Sequence, residues 1–163
     1  MPDIGAKLVA CAIIPLIWSN AALPTHEPNP VAAYMSADDV RASVAASTPL
    51  VLVDVRAEDE FAAGHLPESI NIPVTSLPDS AKTLPRDRRL VVYCIHSTHR
   101  APVAAAALRE LGFTDVSVVE GGLVALVEAG LKLESATAPG PPRILPFTDR
   151  CRDAKDAAPK PQR

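Results

Sequence analysis

At 163 residues the chain has room for one domain with some overhang, and with 48% hydrophobic residues it can bury a real core. Only 4% of residues are aromatic, so aliphatics and alanine must fill that core. A formal net charge of −3 excludes a basic nucleic-acid surface, and the three cysteines are too few and too scattered for a disulfide framework or a zinc site.

Residues 1–21 read as a secretory signal. Lys7 precedes a largely apolar run from Leu8 to Trp18, and Ser19-Asn20-Ala21 supplies a small-x-small cleavage site after Ala21. The run is shorter than the about 20 apolar residues that a spanning helix needs, so no stable membrane span is expected. The expected location is therefore outside the cytoplasm, in the periplasm. Leu8-Val9-Ala10-Cys11 looks superficially like a lipoprotein box, but no apolar run precedes it. Residues 22–32 form a Pro-rich linker.

The predicted folded domain covers residues 33–135. Ser36, with Asp39 three residues on, opens a helix running through Val40 and Val44. Residues 50–55, LVLVDV, are a continuous apolar run rich in β-branched side chains, which predicts a strand covered on both faces. EDEFAAGHLPES predicts a short helix and turn, with Glu60 and Phe61 as packing residues and His65 as a turn or core histidine. A brief strand follows at 70–72, and then a loop over 73–88, punctuated by Pro73, Pro78 and Pro85. A strand at 89–93 leads to a helix from about 100 to 111, closed by Gly112. Residues 115–119 are a further strand, and GGLVALVEAG is a final short helix after a turn at Glu120-Gly121-Gly122. Strands alternating with helices imply a parallel α/β sheet. Residues 136–163 are polar, Pro-rich and expected to be disordered. Cys151 stands in that tail between Arg150 and Arg152, which favour its thiolate, and is read as incidental.

Chemistry concentrates after the strand at 89–93. Ligands of open parallel sheets bind beyond the carboxyl ends of the strands, and Cys94 sits there. The loop Ile95-His96-Ser97-Thr98-His99 then runs to Arg100 at a helix N-terminus. Unpaired N–H groups and the helix dipole favour an anion at such a place, and a cysteine there ionises more readily. Consecutive backbone N–H groups around one point form an anion nest, and the Ser97 and Thr98 hydroxyls can donate to the sulfur. The candidates are Cys94 as nucleophile, and Ile95, His96, Ser97, Thr98, His99 and Arg100 as the substrate-binding loop. Asp54 and Arg56, two apart on one strand face, read as a structural ion pair.

The segments LVDVRAEDEFAAGHLPESINIPV, VVYC with its loop, the Ala-rich helix closing on Gly112-Phe113, and VVEGGLVAL together resemble a single-domain rhodanese over about residues 33–133. The resemblance implies a five-stranded parallel α/β fold, a persulfide carried on Cys94, and the Asp54–Arg56 pair beside the site. It also implies a small anionic sulfur donor, a thiol or cyanide acceptor, and neither a metal nor an organic cofactor. The loop departs from the family's pattern. Arg100 stands six residues after Cys94, a spacing that resembles the related cell-division-cycle dual-specificity phosphatases and arsenate reductases. Tyr93 and His99 differ from those enzymes at the positions before the cysteine and the arginine. Three readings stand: a sulfurtransferase, an oxyanion enzyme on the same fold, and a non-catalytic module in which Cys94 senses oxidation.

Overall fold

The computed structural model describes residues 33–136 and 141–145. The expected signal at 1–21, the linker at 22–32 and most of the tail, with Cys11 and Cys151, lie outside the described residues.

Five parallel strands form one sheet in the order β1-β5-β4-β2-β3. They are β1 (Ala33–Met35), β2 (Leu50–Asp54), β3 (Ile70–Asn71), β4 (Arg89–Tyr93) and β5 (Val116–Val119). The helices are α1 (Ala37–Ala45), α2 (Glu58–Ala63), α3 (Leu77–Ser80), α4 (Arg100–Glu110) and α5 (Gly122–Glu128). Ser36 caps α1 as its sequence predicts: its hydroxyl oxygen accepts from the Asp39 N–H at 3.1 Å.

The central strands are buried on both faces because their apolar runs are continuous. Val51, Val53, Leu90 and Val92 point into one layer, with Leu77, Ala81 and Leu84 and the α4 residues Ala101, Ala104, Ala105 and Leu108. Leu52, Val91, Tyr93 and Val119 point into the other, against Val40, Leu66, Leu123 and Leu126. Alanine at the α4 contact positions lets that helix lie close to the sheet, which suits a chain so poor in aromatic residues.

Three segments differ from the sequence expectation. One is the start of the tail expected to be disordered, where Ala136 and Arg143 bond to α2 and Ile144 packs on the core. Residues 33–35, read without a strand, add an edge strand paired with Ser117, Val118 and Val119. Its three residues are too short and too exposed a run to show a hydrophobic period; pairing with β5, and Met35 packing on the core, hold them. Within the supposed loop at 73–88, α3 is followed by a 3-10 turn over Ala81–Thr83. Pro78 falls in the first helical turn, where its missing N–H costs no bond. Leu77, Ala81 and Leu84 are buried at helical spacing. Among the described residues, no helix is long and apolar enough to cross a membrane.

Candidate active site

Strand β4 delivers Cys94 to the carboxyl end of the sheet, where the residue is buried. The main chain around it is held from α5. Leu123 N–H donates to Cys94 O at 2.9 Å and Val124 N–H to Ile95 O at 3.2 Å. This approach requires glycine at 122, which has φ +63. A Cβ there would lie 2.6 Å from Ile95 O and closer still to Cys94 O. The turn expected at Glu120-Gly121-Gly122 is thus the support under the loop after Cys94.

The far end of the loop is held by charge. Arg100 Nη1 donates to Glu60 Oε2 at 2.5 Å and Nη2 to Glu60 Oε1 at 2.9 Å, and both side chains are 4% exposed. Such a two-point pairing fixes position as well as charge. Burial by itself would raise the Glu60 carboxyl. The Arg100 hydrogen bond, the Ala57 N–H and the charges of Arg100 and Arg56 outweigh it and hold the carboxyl below its ordinary range. Glu60 is therefore a carboxylate at neutral pH, a fixed anion under the loop's last residue.

Between these two anchors the other five predicted loop residues take different places. Ile95 is buried, and its carbonyl is committed to α5. His96 and Thr98 are exposed and His99 is half-buried. Thr98 Oγ1 lies 2.9 Å from His99 Nδ1. Ser97 takes the left-handed conformation with φ +53. Its hydroxyl is buried with no hydrogen-bond partner among the described residues, so the expected donation to the Cys94 sulfur is not made. Instead Ser97 lines a cleft of about 470 Å³ outside the loop, with Tyr34, His96, Thr98 and Glu120. Behind Cys94, Tyr93 is fully buried, and burial together with the Asp54 charge pushes its phenol far above the usual range. Tyr93 stays neutral and serves no acid–base role.

Asp54 and Arg56 form the expected structural pair. Arg56 Nε reaches both Asp54 oxygens, at 2.9 and 3.0 Å, and Nη2 donates to Asp54 Oδ2 at 2.6 Å and to Gly64 O at 2.7 Å. Both residues are fully buried, so the pair ties the end of β2 to the turn after α2. His65 is a core histidine, stacked on Phe61 with ring centroids 3.8 Å apart. Among the described residues, no group of three or more His, Cys, Asp or Glu side chains is placed to hold a metal ion.

Comparison with known proteins places this architecture. The family model described as the rhodanese-like domain matches residues 36–129. The chain belongs to the rhodanese-like family. It is 33% identical over 84 residues to a sulfurtransferase of Allochromatium vinosum, a match covering 52% of this chain and 78% of that protein. It is 40% identical over 72 residues to a thiosulfate sulfurtransferase of Pseudomonas syringae pv. syringae, covering 44% of this chain and 67% of the relative. Some further relatives are longer proteins, of which this chain spans 40% or less. A crystal structure of a rhodanese-related protein from Thermoplasma volcanium superposes with a TM-score of 0.56 at 30% identity, over 63% of this chain and 97% of that one.

Glu60 is the rhodanese-site residue that sequence reasoning missed. An acid three residues after a helix N-cap has an ordinary local explanation, and its Oε2 does accept from Ala57 N–H at 3.1 Å. Its partner Arg100 lies 40 residues away, and no helical or strand spacing links the two.

Proposed function

We propose that this rhodanese-like domain is a sulfurtransferase that carries sulfane sulfur on Cys94. In the loading step the Cys94 thiolate attacks the outer sulfur of an anionic donor such as thiosulfate. The S–S bond of thiosulfate breaks, sulfite leaves with the bonding pair, and Cys94 holds a persulfide. In the unloading step cyanide or a thiolate attacks the outer persulfide sulfur. Cys94 leaves as a thiolate, and the product is thiocyanate or a new persulfide. No electrons enter or leave the cycle.

One observation favours sulfur over oxyanion chemistry: both Nη nitrogens of Arg100 are engaged by Glu60. A guanidinium fork closed on a carboxylate does not also offer a two-point grip to a tetrahedral oxyanion. Arg100 then acts as the root of the loop. The donor's charge meets the backbone N–H groups after Cys94 and the N-terminus of α4. The second reading, a cysteine-dependent phosphatase or arsenate reductase, draws on the spacing between Cys94 and Arg100. Export of the mature chain from near Ala22 is part of the proposal, and N-terminal sequencing of envelope-derived protein tests it.

The deciding experiment is intact-mass spectrometry after incubation with thiosulfate, alongside thiosulfate:cyanide and phosphate-ester assays. The expected result is one added sulfur, lost on adding cyanide, with no gain of mass in Cys94→Ser. Serine is nearly isosteric, so circular dichroism should be unchanged. Phosphate-ester turnover without sulfur loading would overturn the proposal in favour of the second reading. Absence of both would favour a redox-sensing module.

A further inference from the structure

Helix α2 has six residues, too few to be stable on local bonding, yet it carries the carboxylate that roots the catalytic loop. The last carbonyls of any helix lack partners within it. In α2 the Phe61 carbonyl is taken locally, by the Gly64 N–H at 3.1 Å. The next two are taken by a distant part of the chain. Ala136 N–H donates to Ala62 O at 3.1 Å, and Arg143 N–H donates to Ala63 O at 3.0 Å. Beside them, His65 and Glu134 exchange both main-chain bonds at 2.9 Å, an isolated antiparallel bridge. Ile144 packs with the core layer that contains Leu66 and Leu123. Glu134, Ala136, Arg143 and Ile144 all lie beyond 129, where the stretch matching the family ends.

Gly64 fits the same picture. Its φ of 176° and ψ of 123° are extended backbone open to any residue, so conformation does not demand glycine there. Space does. A Cβ at this position would lie 2.6 Å from Arg143 O and 2.9 Å from Arg143 N, both main-chain atoms.

We propose that residues 134–136 and 141–144 form a positioning strap, which caps α2 from outside and so holds Glu60 against Arg100 and the loop after Cys94 in its working shape. The strap residues are positioning residues, acting through Glu60. The kinetic readout below rests on the sulfur-transfer reading, whereas the exchange readout does not.

The test combines amide hydrogen exchange with rates of persulfide formation from thiosulfate, on the full chain and on Gly64→Ala, Glu60→Gln and the double variant. In the unaltered chain the Ala136 and Arg143 amides should exchange slowly, together with Phe61 and Gly64. Gly64→Ala should release all four and slow persulfide formation about tenfold, the worth of one strong hydrogen bond. Added to Glu60→Gln, the same substitution should cost little more, because the charged two-point pairing with Arg100 is already lost. A merely structural strap would instead give losses that multiply. Where Gly64→Ala does not fold, Arg143→Pro removes one capping N–H without crowding Gly64, and the same non-additivity is expected. Rapid exchange of Ala136 and Arg143 in the unaltered chain would overturn the proposal. So would multiplying losses, or an undiminished rate with the strap amides released. If the unaltered chain forms no persulfide, the sulfur-transfer reading fails, and release of the Phe61 and Gly64 amides on freeing the strap decides the inference by itself.

Discussion

Replacing Glu60 by alanine removes one partner of a buried ion pair and leaves the Arg100 guanidinium without its acid. The pair makes two charge-assisted hydrogen bonds, at 2.5 and 2.9 Å, between side chains that are each 4% exposed. Breaking such a pair from one side costs about 3–5 kcal/mol, because a buried charge loses its two-point partner. For a domain of this size each kcal/mol lowers Tm by at least about 4 °C, so a fall of about 12 °C or more is expected. The chain supplies its own control. Arg41 and Asp38 also pair, at 3.4 Å, but with side chains 53% and 80% exposed. Asp38→Ala should therefore cost less than about 1 kcal/mol. Urea and thermal denaturation followed by circular dichroism measure both. A further variant, Glu60→Gln with Arg100→Met, removes both charges and should recover much of the stability lost in Glu60→Ala. A Glu60→Ala cost as small as that of Asp38→Ala, or a double variant worse than the single one, would refute the reasoning.

The depressed Glu60 carboxyl makes a pH prediction. Its contribution to stability is fully present above the unfolded value of 4.5 and is lost as pH falls through the lower folded value, so the acid limb of a stability–pH curve should flatten in Glu60→Gln. An identical limb in variant and parent would show that Glu60 does not carry it. Gly122→Ala should destabilise by about 2 kcal/mol or more and slow persulfide formation, since a Cβ meets the carbonyls of Cys94 and Ile95 as well as a positive φ. Gly130→Ala, at φ +98 with nothing within 4 Å, bears backbone strain alone and should cost less; equal costs in urea melts would remove crowding from the account.

Much of the architecture follows from local pattern. Largely apolar runs rich in β-branched residues at 50–55 and 90–93 announce doubly covered strands, because burial on both faces leaves no regular polar alternation. The place of Cys94 follows from them: a strand ending on a thiol, before a polar loop and an Ala-rich helix, sets it at the carboxyl edge of a parallel sheet. Ser36 and Gly112 mark helix ends through capping chemistry that acts within a few residues. Where three proline residues broke the pattern, the same local logic missed α3, because Pro78 in a first helical turn is indistinguishable by composition from Pro78 in a loop.

Only the tertiary structure decided what holds the site. Glu60 and Arg100 are 40 residues apart, the carbonyls of Cys94 and Ile95 are bonded from α5, and the end of α2 is closed from beyond residue 133. Each is a single pairing between distant segments, made of one carboxylate, one glycine or one backbone N–H. None has a period to read. Hydrophobic burial repeats along an element and so leaves a pattern in the sequence, whereas a cap or a buried ion pair is made once, at a position that exists only after the chain has folded.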